Sequence, residues 1–168
     1  MRRGLFLALL VLAACRATLP DPKLAKLEAI IAARDDNDPR LDTDFEELSE
    51  STKRAFRRRY NELPLEYFNE RGTIVYVLGR NMTTVADWEF FHAVVSEPPC
   101  LSFSNCSKAG GVPGNEVTLA YPALVALKRA QREQVGGRNK EAARRVVAEA
   151  LRSEAPAVRR LAERDPGR

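Results

Sequence analysis

The chain has 168 residues, 45% of them hydrophobic and 30% charged, which is ordinary for a globular protein and enough for one domain with its own core. Its formal charge of +4 is spread unevenly: residues 15–122 carry 13 basic and 17 acidic side chains, residues 123–168 carry 12 and 6. A basic rear half suits an anionic surface or an acidic partner, but no aromatic residue follows Tyr121, so the basic part lacks a stacking platform for single-stranded nucleic acid.

At the front, Arg2 and Arg3 precede an uninterrupted run of apolar or small residues, Gly4 to Ala14. The run is shorter than the roughly 20 residues that span a bilayer. It has the dimensions of the hydrophobic region of a secretory signal, so residues 1–14 are set apart from the fold. Its end, Leu12-Ala13-Ala14-Cys15, resembles the lipobox of bacterial lipoproteins. That resemblance implies cleavage before Cys15, a diacylglycerol thioether on its sulfur, and acylation of its amine. The alternative is an ordinary signal peptide cut a residue or two later, or an uncleaved anchor. Arg16 stands where, in familiar lipoprotein sorting, an aspartate tends to hold the protein in the inner membrane. The resemblance therefore points to the periplasmic face of the outer membrane. Residues 15–20 form a short tether, and export argues against nucleic acid as a partner.

Asp21 is placed to cap a helix with Pro22 at its first position. Leu24, Leu27, Ile30 and Ile31 then recur at helical spacing to about Ala33, before the polar turn RDDNDPRLDTD. Leu48 and Ser49 read as a hydrophobic residue and an N-cap ahead of a helix carrying Phe56, Tyr60 and Leu63 on one face. The next stretch has two readings. Thr73 to Leu78 is β-branched and bounded by Gly72 and Gly79, as a buried strand would be. Its one good partner is EVTLAY, residues 116–121, and a lone two-stranded ribbon is marginal. As a helix over 64–80, the same residues put Tyr67, Arg71, Ile74, Val75 and Leu78 along one side. The helix is adopted, giving an all-α fold; the alternative is α+β with a ribbon of 73–78 and 116–121.

Thr83 or Thr84 caps a helix over 85–97, apolar nearly all round and therefore expected at the centre. The loop 98–116 contains three prolines, three glycines and the pair Cys100 and Cys106. Export makes a disulfide between them the expected state, with free thiols as the alternative. Their spacing, without nearby histidines, is a poor zinc pattern. A helix resumes near Pro122 and breaks at Gly136 and Gly137. Asn139 is expected to cap the next, over 140–153, with Ala143, Val146, Val147, Ala150 and Leu151 as its stripe. A last short helix begins at Pro156 and turns Val158, Leu161 and Ala162 inward.

The helices therefore fall into pairs: 50–62 with 64–80, 85–97 with 120–134, and 140–153 with 156–164. Asn69, Arg71, Ile74, Val75, Leu78 and Gly79, and then Pro156, Val158, Arg159 and Ala162, resemble the second helices of HEAT-like repeats. Arg71 and Arg159 are 88 residues apart, about two repeat lengths. The middle pair departs from the pattern, because the cysteine loop interrupts it and no matching arginine occurs. The resemblance implies one domain over 21–165, an irregular stack of helical hairpins with a binding surface, and no chemistry.

Catalytic candidates are few. His92, the single histidine, lies near Trp88 and Glu89 in sequence, as an oriented general base would, but it shares a face with Trp88, Phe91 and Val95 and is expected beside the core. The G-x-S-x-G turn of a serine nucleophile is absent, as is a phosphate-binding glycine loop. Asp35, Asp36, Asn37, Asp38, Asp42 and Asp44 offer oxygens for calcium, yet no register supplies the glycine and glutamate of an EF-hand. Turn and capping chemistry is the alternative for them. No catalytic residue, metal or cofactor is assigned.

What remains is the loop, whose staple and prolines suggest that its shape matters. Leu101, Phe103 and Lys108 are the expected partner-binding edge, with Arg132, Arg144 and Arg145 as electrostatic support. The expected function is a lipid-anchored, non-enzymatic scaffold or protein-binding module of the cell envelope, joined to the membrane through Cys15 and to another envelope protein through this edge. An accessory hydrolase with a site near the cysteine loop, and a small-ligand or metal-binding lipoprotein, are the alternatives.

Overall fold

The computed structural model describes residues 21–108 and 114–164, so the signal, Cys15 and the tether lie outside the described residues, as does part of the cysteine loop. The first helix, α1 (Pro22–Ala33), starts where the Asp21 carboxylate accepts the amides of Lys23 and Leu24, at 2.9 and 3.3 Å. It stops where Arg34 turns left-handed, at φ 54°. The polar turn contains a short helix that the sequence did not announce, α2 (Arg40–Thr43), with the Asp38 carboxylate accepting the Arg40 amide at 2.9 Å. Ser49 caps α3 (Glu50–Glu62) by accepting from Thr52 at 3.1 Å. After α4 (Phe68–Arg80), helix α5 (Val85–Ser96) opens on Asp87, whose carboxylate accepts the amides of Thr83 and Thr84, both at 2.9 Å. The chain ends with α6 (Glu116–Leu119), α7 (Tyr121–Gly136), α8 (Lys140–Ala150) and α9 (Pro156–Ala162).

The fold is all-α, with no strand among the described residues. The ribbon of 73–78 with 116–121 is overturned: the first segment lies inside α4, the second forms α6 and the start of α7. Ile74, Val75 and Val77 are completely buried on α4, so packing on several sides outweighs the small helical penalty of β-branching. Gly72, read as a strand boundary, has another task. An added Cβ there would lie 2.1 Å from Cδ1 of Tyr121, so only glycine lets that ring rest against the helix.

Contacts between elements run within the hairpins α3/α4, α5/α7 and α8/α9, and also along α4–α7–α9 and α5–α8. Side chains complete the second row, because Lys53 and Tyr60 of α3 meet Asp87 and Phe90 of α5. Helix α1 packs on α3. A continuous apolar cluster runs from Leu27 to Ala162. The expected centre shifts: α7 touches α4, α5, α8 and α9, whereas α5 leaves Glu89, His92 and Ala93 exposed.

Two polar arrangements fix the ends. Lys53, 1% exposed, donates to Asn81 O (3.0 Å), Thr83 Oγ1 (2.9 Å) and Asp87 Oδ2 (2.7 Å), while Arg57 donates to Asp87 Oδ1 at 2.7 Å. Asn139 does not cap α8 with its side chain. Instead, the buried Glu133 carboxylate accepts the Asn139 amide at 2.9 Å and the Arg129 guanidinium at 3.0 Å. It places negative charge where the helix presents its free N–H groups.

Candidate functional site

Asp21 Oδ2 accepts from Thr52 Oγ1 at 2.6 Å, which with the Lys53–Asp87 contacts gathers the starts of α1, α3 and α5 and the end of α4 at one end of the molecule. The opposite end holds the last turn of α1, the first turn of α4, the last turn of α5 and the cysteine loop. Here Glu97 accepts from Tyr60 Oη at 3.0 Å and from Arg71 Nη2 at 2.8 Å, and the Arg71 guanidinium lies 4.0 Å from the Tyr60 ring centroid. Burial and then the Glu97 charge push the Tyr60 phenol well above its ordinary pKa. Arg71 Nε is buried and has no partner.

Cys100 and Cys106 form a disulfide. Across the closed loop, the Leu101 amide donates to Cys106 O at 3.1 Å, and Ser102 Oγ, buried, donates to Asn105 O at 2.8 Å. Two contacts lay the loop on the start of α4. The Cys106 amide donates to Glu66 Oε1 at 3.2 Å, and Phe103 packs on Phe68 with centroids 5.5 Å apart. Glu66's own amide and that of Cys106 hold its carboxyl below the usual range. The result is a rim of exposed large side chains, with Leu65, Tyr67, Leu101 and Phe103 all between 41% and 45% exposed.

Beside this rim, two hollows of about 300 Å³ each follow α4. The first is walled by Ile30, Tyr67 and Phe68 and edged by Asp35, Asp36, Glu66 and Glu70, with the exposed Arg34 as its one cation among the described residues. The second shares Asp36 and Thr73 with it and adds Asp38, Asp42, Tyr76 and Tyr121. Tyr121 thus lines a groove because Gly72 admits its ring. Burial, then Asp36 and Tyr76, raise its phenol pKa.

The sequence-derived candidates divide. Leu101 and Phe103 join the rim, and Lys108 is exposed at the end of the described loop. The arginines occupy other surfaces: Arg132 lines a shallow hollow with Lys128 and Val135, Arg144 pairs with Glu141 at 3.3 Å, and Arg145 borders a hollow with Trp88 and His92. His92 is exposed rather than beside the core, its Nε2 3.8 Å from Glu149. The acidic turn is split among separate cations, Asp38 with Arg40 (2.6 Å), Asp44 with Lys26 (2.7 Å) and Asp42 with Arg80. Among the described residues, no group of three or more His, Cys, Asp or Glu could hold a metal ion, and no helix is long and apolar enough to cross a membrane.

Sequence reasoning missed Glu66, Glu97 and the Gly72–Tyr121 contact. Only the last left a signal, a glycine inside an otherwise apolar helical face. No family model, curated protein or solved structure matches this chain.

Proposed function

We propose that this protein is a lipid-anchored component of a bacterial cell envelope, facing the periplasm from the outer membrane, and that it works without catalysis as a scaffold or protein-binding module. The observation that carries the reading is the rim of Leu65, Tyr67, Leu101 and Phe103, held in place by the disulfide, the Glu66 contact and the Phe68 ring. Rigidly held, half-exposed aromatic and aliphatic side chains are what interface cores are made of. The helical hairpins support the likeness to HEAT-like repeats as a scaffold for such a rim.

The anchor and the rim fit one another. With lipid on Cys15, the six steps to Asp21 reach at most about 20 Å, which keeps the start of α1 near the bilayer. The rim lies at the other end of α1, about 18 Å further on. The tethered end is thus the closed one, which leaves the rim free of the anchor.

Two experiments test the reading. Cys15→Ser should give uncleaved precursor or soluble periplasmic protein; fatty-acid labelling of the variant would reject the anchor. Replacing residues 101–105 with Gly-Ser while keeping both cysteines should remove partners recovered with the native lipidated form from detergent-solubilised envelope. A normally folded variant that retains every partner would reject the rim.

A further inference from the structure

We infer that the groove along α4 holds an extended basic segment of the partner protein, with two Lys or Arg side chains on one face of that segment entering the two hollows. The inference rests on the protein-binding reading above and names the partner's chemistry.

Size comes first. The hollows follow Asn69, Thr73 and Tyr76, which share one face of α4 and span about 10 Å along its axis. An extended chain covers that length in three or four residues, and its side chains at i and i+2 point the same way about 7 Å apart. A segment of the form basic-x-basic therefore matches the pair.

Charge selects the sign. Among the described residues, neither Asp35, Asp36 nor Glu66 has a salt bridge, and the nearest cation to Glu70 is the exposed Arg34 at 4.0 Å. In the second hollow Asp38 and Asp42 are already paired with Arg40 and Arg80. The uncompensated charge therefore runs from Glu66 and Glu70 to Asp36, where the hollows meet. Strung out rather than gathered round one point, it suits a long organic cation better than a metal ion.

The walls suit the stems of those cations. Tyr67 and Tyr76 are exposed at the groove, and Tyr121 lies on its floor. Arg and Lys lay their methylenes on apolar surface while keeping the charge near ring faces and carboxylates. The chain itself contains one such arrangement. Arg80 sits 6.0 Å from the Tyr76 ring centroid, donates to Tyr76 Oη at 3.3 Å and pairs with Asp42. A partner arginine entering beside Asp36 would repeat that geometry one hollow along.

The test uses the full chain in non-ionic detergent and fluorescein-labelled Gly-Ser-Lys-Gly-Arg-Ser, with a matched peptide carrying Gln in both basic positions. Anisotropy should show the basic peptide binding about tenfold or more tightly than the Gln peptide, with affinity falling as salt is raised. Asp35→Asn with Asp36→Asn, and separately Glu70→Gln, should each weaken it about tenfold while the melting temperature stays unchanged. Asp35 and Asp36 are exposed, and Gln keeps the shape of the 13% exposed Glu70, so the variants keep the core. Equal binding of the two peptides, or insensitivity to both sets of substitutions, would overturn the inference. So would spermidine binding as tightly as the peptide, or groove-dependent self-association that excludes the peptide and marks a second copy as the occupant. The Gly-Ser replacement of 101–105 separates the two proposals. If it loses partners while the groove variants keep the peptide, the groove fails and the rim stands; if it keeps both peptide and partners, the rim fails alone.

Discussion

Helices α3 and α5 meet twice, and the two meetings are built differently. At the end where α1, α3 and α5 begin, Lys53 is surrounded by Asn81 O, Thr83 Oγ1, Asp87 and Glu50, and Asp87 also starts α5. Lys53 and both oxygens of Asp87 have partners inside the fold. At the rim end, Tyr60, Arg71 and Glu97 form a looser arrangement, in which Glu97 is partly exposed and Arg71 Nε has no partner. The first is a closed structural joint. The second leaves polar capacity and exposed aromatics side by side, as a surface that meets another molecule would.

The largest expected effect comes from opening the closed joint. Asp87→Ala leaves buried Lys53 with only the half-exposed Glu50 carboxylate and removes Asp87 from the capping box of α5, and should destabilise the protein by about 3–5 kcal/mol in urea unfolding. Glu97→Gln keeps the shape: its amide oxygen can accept from Arg71 and its NH2 can donate to Tyr60 Oη, so about 1 kcal/mol is expected. Equal losses at the two positions would erase the distinction.

Gly72→Ala comes next. Its Cβ would overlap the Tyr121 ring, and displacing that ring should lower stability by about 1–3 kcal/mol. It should also alter the groove wall, seen as a changed Tyr121 signal in aromatic NMR spectra.

Opening the disulfide is expected to be smaller and confined to one end. Closing so short a loop is worth about 2 kcal/mol in the chain-entropy model. Cys100→Ser with Cys106→Ser should speed amide exchange at 101–106 and leave protection in α4 and α7 unchanged. Spread of the effect to α7 would mean that the loop is part of the core.

The mildest probe is acid. Burial opposes ionisation of Asp87, but hydrogen bonds from Lys53, Thr83 and Thr84 outweigh it and hold its pKa below the ordinary 3.8. A carboxylate with a depressed folded pKa stabilises above its unfolded value and loses that contribution as pH falls through the folded one. The urea midpoint should therefore fall below about pH 4 in the native chain and fall less steeply in Asp87→Asn.

The pattern of success in the sequence follows the range of the forces involved. Caps at Asp21 and Ser49, the helical stripe of α3 and the break after Gly136 depend on residues a few positions apart, and all were legible. The fate of 73–78 depended on neighbours from α7, so local β-propensity pointed the wrong way as one of two readings. Asn139 has the right composition for a cap, yet Glu133 reaches that amide first from the preceding helix. The rim was half visible: compartment logic paired Cys100 with Cys106 and singled out Leu101 and Phe103. Its supports, Glu66 and Phe68, come from 40 and 35 residues away in sequence and carry no local mark. The arginines of α7 and α8 were grouped with the loop by charge alone, which says nothing of which surface a helix presents.

The central claim is that the stapled end of the molecule, rather than its basic side, meets a partner in the envelope. In-cell photo-crosslinking with the probe placed at Phe103 and, separately, at Val135 tests it most directly, since both positions are exposed and apolar but lie on different surfaces. The account predicts a discrete crosslinked protein from position 103 that disappears when Leu101 is changed to Asp, and none from position 135. A product at 135 with none at 103 would contradict it.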